Sequence, residues 1–79
     1  MPKFFMHLRD GTDEVLDHDG IEMPFESVAQ AALKAARDCI SGDVLEGRVE
    51  LKYRIDVHDE DGDIVHTLPF SSAVAIVPG

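Results

Sequence analysis

Polar and apolar residues alternate along much of this chain, and the period of the alternation changes once. Phe4, Met6 and Leu8 interleave with Phe5, His7 and Arg9. This period of two predicts a strand over about residues 3–9, with a phenylalanine on each face. Asp10-Gly11 follows, a tight-turn dipeptide because both residues tolerate positive φ. A short second strand is expected over Glu14–Leu16, then a turn or bulge at Asp17-His18-Asp19-Gly20. Ile21 and Met23 carry the alternation on to Pro24. From Val28 the period lengthens. Val28, Ala32, Ala35, Cys39 and Ile40 fall on one stripe of a helix. The stretch is Ala-rich, Pro24 lies just ahead of it, and Ser27 with Gln30 has the spacing of a capping box. Gly42 is expected to weaken or end the helix near residue 41, with Val44 and Leu45 able to add a last turn before Gly47.

The period of two returns at Val49. Val49, Leu51, Tyr53, Ile55 and Val57 hold the odd positions, and Glu50, Lys52, Arg54, Asp56 and His58 the even ones. That predicts a half-buried strand from Val49 to Val57 with one wet face. Asp59-Glu60-Asp61-Gly62 supplies a hairpin turn. Ile64, Leu68 and Phe70, in phase with His66, mark the returning strand, which Pro69 restricts to an edge. Ala73–Val77 reads as a short extra strand or an ordered tail. The expected fold is α+β, β-β-α-β-β: a mainly antiparallel four-stranded sheet with one helix packed on one face, in a single domain over 1–79. There is one internal echo. Val15-Leu16-Asp17-His18-Asp19-Gly20 resembles Val57-His58-Asp59-Glu60-Asp61-Gly62, and Pro-Phe follows each copy, as Pro24-Phe25 and Pro69-Phe70. Two similar turns account for it; a half-repeat is the alternative.

Composition enters through what it excludes. Sixteen acids against seven bases give a formal net charge of −9. Nucleic acid is not an expected partner, because phosphate binding needs a basic footprint and the bases are scattered from Lys3 to Arg54. No apolar run is long enough for a membrane span or a signal peptide. Cys39 is the only cysteine, which fits a reducing, cytoplasmic setting. No cofactor is expected.

The candidate chemistry is thin. Asp59, Asp61 and Asp63 around Gly62 suggest part of a calcium loop. Setting Gly62 at position 6 of an EF-hand puts Val57 at position 1 and Leu68 at position 12, where acids are needed. Gly20 set the same way puts Val15 at position 1 and fails there. His7, His18, His58 and His66 lack the short spacings of a metal site, although His7 and His58 lie on polar strand phases and are expected to be cross-strand neighbours. Cys39, on the helix stripe, reads as a small buried hydrophobe, and Ser71-Ser72 has no nucleophile-elbow context. No catalytic set and no metal set is assigned. The binding candidates are His7, Phe5, Phe25 and His58, the two phenylalanines as contact anchors. The leading expectation is a non-enzymatic domain acting through protein contact or homodimerisation. The alternative is a small-ligand or metal-binding protein using His7, His58 and neighbouring acids.

Taken together, several of these segments resemble a known family. They are the opening Met-Pro-Lys-Phe-Phe-Met-His-Leu-Arg-Asp-Gly, Asp19-Gly20-Ile21-Glu22-Met23-Pro24, the Ala-rich helix, and Asp59-Glu60-Asp61-Gly62 leading to Leu68-Pro69-Phe70-Ser71. The family consists of short, stand-alone bacterial proteins classed as a domain of unknown function, typically starting MPRYYFHLRDG. The resemblance covers nearly the whole chain and brings no activity or catalytic residue with it. It marks His7, Asp10, Gly11, Asp19, Gly20, Pro24, Asp61, Gly62 and Phe70 as matching positions. The Gly and Asp positions already have turn explanations; His7 has none. A partial similarity, over Gly20 to Ala32, is to antitoxin domains that pair two strands with a Pro-initiated, Ala-rich helix.

Overall fold

The computed structural model describes residues 1–78. Five strands and one long helix appear in chain order: β1 (Lys3–Arg9), β2 (Glu14–Val15), β3 (Ile21–Glu22), α1 (Val28–Leu45), β4 (Arg54–His58) and β5 (Ile64–Pro69). Every pairing is antiparallel, in the order β2-β1-β4-β5, with β3 also on β1. The α+β class and the single helix on one face are as expected from the sequence. The sheet has five strands instead of four because the alternation beyond the Asp17–Gly20 turn, at Ile21–Glu22, forms a strand of its own. Leu8 and Arg9 pair with Val15 and Glu14, and Lys3 and Phe4 pair with Glu22 and Ile21.

The side chain of Asp17 spans the gap between β2 and β3. Its Oδ2 accepts the Met6 N–H at 3.1 Å, and its Oδ1 accepts the N–H groups of Asp19 and Gly20 at 3.2 and 3.1 Å. A buried strand cannot leave its donors unpaired, and here one carboxylate stands in for the missing ladder. The turn brings Gly20 hard against β1. A Cβ built there would sit 2.8 Å from both Lys3 Cγ and Phe5 Cε2, and its φ of +70° is one that side chains rarely adopt.

The strand expected over Val49 to Val57 begins only at Arg54. The register explains this. Arg54 lies opposite Arg9, the last residue of β1, and beyond it the chain turns away at Asp10. Residues 49–53 therefore run past the end of β1 with no strand to join, although Leu51 and Tyr53 still pack on the core. Pro69 closes β5, and the Phe70 N–H continues the ladder to the Tyr53 carbonyl at 2.9 Å. Ala73–Val77 forms no strand; Ala73 is buried and its carbonyl accepts Arg37 Nε at 2.8 Å.

Helix α1 lies over β4 and β5. Its buried residues are Val28, Ala32, Ala36 and Ile40, a row at four-residue spacing, the ridge that most often packs into a neighbour's groove. The small Ala side chains let the helix approach Phe4, Ile55, Val57 and Phe70 closely. The row runs through Ala36, not Ala35, so Cys39 is turned outward and exposed, against the expectation that it is buried. Ser27 makes no side-chain cap bond, so the capping box is not formed; a 3-10 turn at Phe25–Ser27 leads into the helix instead. Gly42 does not end the helix. It closes at Gly47, where the N–H groups of Gly47 and Arg48 reach back to the carbonyls of Val44 and Asp43 at 2.9 and 3.1 Å, a Schellman pattern.

Gly20→Ala is expected to destabilise the protein by about 2–3 kcal/mol, combining the strained φ with displacement of Phe5 and Lys3. Gly11→Ala has positive φ but open space around it, and is expected to cost only about 1 kcal/mol. Urea denaturation of the two variants gives the comparison.

Candidate functional site

Among the described residues, no layer of secondary structure lies over the sheet face opposite α1. Strand alternation places Phe5, His7 and Arg9 of β1 on this face, with Arg54, Asp56 and His58 of β4 and Thr67 of β5 beside them. Asp56 is nonetheless only 3% exposed. The polar side chains themselves form the cover. Arg9 Nη1 donates to Asp56 Oδ2 at 3.1 Å, Arg54 Nε donates to both Asp56 oxygens at 3.2 and 3.3 Å, and Thr67 Oγ1 donates to Oδ1 at 3.0 Å. Arg9 Nε also donates to Glu14 Oε2 at 2.7 Å, which ties β2 to the network. No buried side-chain polar atom lacks a partner among the described residues.

His7 and His58 are brought together as expected, with ring centroids 4.7 Å apart in an edge-on arrangement. Their nitrogens are largely occupied. His7 Nδ1 accepts the Asp17 backbone N–H at 3.0 Å. Arg9 Nη1 lies 3.0 Å from His58 Nε2 and can only donate, so that nitrogen is the acceptor; His58 Nδ1 then carries the proton and donates to the Gly62 carbonyl at 2.9 Å. His7 Nε2 is the one ring nitrogen of the pair with no bond to a protein group. A metal held by both rings would have to displace Arg9 from His58. Among the described residues no three His, Cys, Asp or Glu side chains are grouped to hold an ion.

This allocation gives His7 a structural role that its sequence position does not reveal. A proton on Nδ1 would break the bond from the Asp17 amide, which joins the β2–β3 turn to β1. The ring's pKa is lowered from 6.5, first by burial, then by His58 and Arg9, against smaller opposing effects of Asp17 and Glu14. Burial pushes the Asp56 carboxyl up, but hydrogen bonds from Arg9 and Thr67 and the Arg54 guanidinium outweigh it, and the net displacement is downward. Asp17 behaves likewise: burial raises it, and three backbone N–H donors with His7 bring it below its usual value. At the first turn, Asp10 takes the N–H groups of Asp13 and Thr12 at 2.6 and 2.9 Å, and its carboxyl is brought down to about 2.

Phe5 is half-buried on the open face, against the Gly20 turn. Phe25 is separate from these residues. It lies on the helix side of the sheet, 60% exposed, its ring 6.2 Å from that of Phe4. Asp56 and Arg9, the centre of the open face, were not singled out in the sequence. Their partnership joins positions 47 apart, and nothing short-range signals it. Cys39, though exposed, has its thiol pushed up by partial desolvation and then by Asp43 and Asp38, so it is not a thiolate nucleophile at neutral pH.

The fold and the open face together define a small α+β protein with a helix on one face of its sheet and a hydrogen-bonded polar layer closing the other. The chain belongs to the family described as Domain of unknown function (DUF6894), whose sequence model matches residues 3–71. No curated protein and no solved structure matches the chain. No helix among the described residues is long and apolar enough to cross a membrane.

Two outcomes follow from the open face. Asp56→Ala leaves two guanidinium groups facing each other without their shared carboxylate. It is expected to cost about 2 kcal/mol in urea denaturation, less than a fully buried pair because both arginines reach solvent; Thr67→Val, which removes one neutral donor, should cost about 1 kcal/mol. The pH dependence has two steps of the same sign. A lowered His7 pKa gives stability that is complete above 6.5 and is lost as pH falls through the folded value. The lowered carboxyls of Asp10, Asp17 and Asp56 give stability that is complete above 3.8 and is lost on further acidification. In an NMR titration the His7 ring should have its midpoint below 6.5, and His7→Gln should flatten the stability profile between about pH 7 and 5.

Proposed function

We propose that this chain is a non-enzymatic protein-contact module that pairs with a second copy of itself through the free edge of β5. The observation that carries this reading is the contrast between the two sheet edges. Edge strands are ordinarily protected by being short, charged or interrupted. The β2/β3 edge is all three: two residues each, carrying Glu14 and Glu22, and broken by the Asp17 turn. The β5 edge is six residues, Ile64-Val65-His66-Thr67-Leu68-Pro69, with no Asp, Glu, Lys or Arg, in a chain whose charged fraction is 29%. Protection is confined to its ends, a bulge opposite Val57/His58 and Pro69.

Charge selects the orientation. The acidic turn Asp59–Asp63 leads directly into β5. Antiparallel pairing of two β5 strands would hold the two acidic turns about 20 Å apart, well beyond a Debye length of about 8 Å. Parallel pairing would set them side by side. The exposed Ile64 would gain apolar contact across such an interface. Its carboxylates and guanidinium groups engaged in structural bonds, the open face offers no free acid–base pair, which supports a contact role over catalysis. The single cysteine and the absence of a disulfide suit a reducing compartment. Ligand binding through His7 would have only its free Nε2 to use.

Light scattering is expected to give about twice the 8.7 kDa chain mass at micromolar concentration. Ile64→Lys, which places a charge on the edge without touching the core, should return the protein to monomer with its melting temperature nearly unchanged. A wild-type monomer at every concentration up to about 1 mM overturns the reading.

A further inference from the structure

The Pro-Phe part of the internal echo has one local geometry in both copies, and the two phenylalanines differ in exposure. Pro24 and Pro69 are both extended, with φ/ψ of −65/149° and −67/141°, and each leads a 3-10 turn in which the closing N–H bonds to the Phe carbonyl. The same local chemistry thus presents Phe25 and Phe70 in the same way. Phe70 is 1% exposed, its ring 6.0 Å from that of Tyr53. Phe25 is 60% exposed. Folding has used the second phenylalanine for the core and left the first on the surface.

Phe25 forms one wall of a groove of about 440 Å³ whose apolar lining is completed by Pro2, Phe4 and Val65. Asp59, Glu60 and Asp61 form its rim, and Lys3 is the one base that lines it. None of the three acids is paired with a Lys or Arg side chain among the described residues. Two of them are fixed in place. Asp59 Oδ1 accepts the N–H groups of Asp61 and Asp63 at 3.0 Å each, and Glu60 Oε1 accepts the Lys3 N–H at 3.0 Å. An apolar floor beside a preorganised, unneutralised acidic rim is complementary to one kind of occupant.

We propose that this groove docks a short basic segment of a partner protein. One apolar side chain packs against the exposed ring of Phe25, and flanking Lys or Arg residues meet Asp59, Glu60 and Asp61. A second copy of the chain, at net charge −9, is the wrong sign for the rim; so is nucleic acid. The proposal rests on the protein-contact reading but not on self-association.

A fluorescein-labelled peptide with one phenylalanine between two pairs of lysines is the probe. Anisotropy should give a Kd on the order of 10–100 μM at low salt. Phe25→Ala, or alanine in place of the peptide's phenylalanine, should weaken binding about tenfold, and Asp61→Lys should weaken it comparably while reducing the salt dependence. Both positions are exposed, so the variants should melt with the wild type. Amide shifts on titration should map to Phe25, Asp61 and Val65. Binding unchanged by Phe25→Ala, shifts that map elsewhere, or no binding at about 1 mM peptide each overturns the proposal. Light scattering on the same samples reports self-association separately, so a failure of one reading is distinguishable from a failure of the other.

Discussion

A single buried carboxylate holds this structure's exposed face together. A one-layer sheet with a helix on one side must deal with its other side, and the described residues supply no second helix to place there. Asp56 is the solution. It lies near the middle of β4 and draws in one arginine from β1, one from its own strand and a threonine from β5. The two guanidinium groups and the Thr67 hydroxyl surround the carboxylate, which is left only 3% exposed. Removing an ion from water costs several kcal/mol unless its lone pairs are satisfied, and here they are, by donors from three strands at once. The network is therefore as much a statement of register as of charge: Arg9 reaches Asp56 only if β1 and β4 are aligned as they are.

The acidic residues follow a second, local logic. Asp10, Asp17 and Asp59 each begin a turn and each accept backbone N–H groups two to four residues ahead. Such turns need an acceptor on a short side chain, and aspartate supplies it. Asp17 does more, since its second oxygen replaces a missing strand residue opposite Met6. His7 then completes the junction by accepting the Asp17 amide. The histidine that resisted explanation in the sequence is thus the reciprocal half of an aspartate turn.

These particulars show what the sequence could and could not disclose. The alternation over residues 3–9, the Ala-rich helix and the Asp-Gly turns are local signals, and all were legible. The strand at 49–57 was half legible. Its period of two is real, and Leu51 and Tyr53 do face the core, but pairing depends on where β1 ends, which is information 40 residues away. The break at Asp17–Gly20 was legible as a turn, but the bond from the Met6 N–H to the Asp17 side chain was not, because a side chain there stands in place of a ladder. The proximity of His7 and His58 followed from strand phase alone. Their ring-nitrogen partners did not, because two of the three are backbone groups, which no residue pattern displays. Asp56 read as a wet-face residue for the same reason that Arg54 did; only the third dimension separates them.

The distribution of bases decides where the molecule's negative charge is felt. Arg9 and Arg54 are held by Asp56, Lys34 pairs with Asp38, Lys52 approaches Asp10 and Glu50, and Arg37 bonds to the Ala73 carbonyl. The structural contacts thus engage most of the seven bases at the open face, along the helix and beside the first turn. Lys3 lines the groove beside the hairpin between β4 and β5, but no Lys or Arg side chain pairs with that hairpin's acids among the described residues. Asp59, Glu60, Asp61 and Asp63 therefore stand unneutralised at one end of the molecule, next to the sheet's least protected edge and its most exposed aromatic ring. Turn geometry demands only Asp59 of these four. Glu60 adds one bond, from the Lys3 N–H; the excess of acid beside exposed apolar surface opposes indiscriminate association while favouring contact with a basic partner.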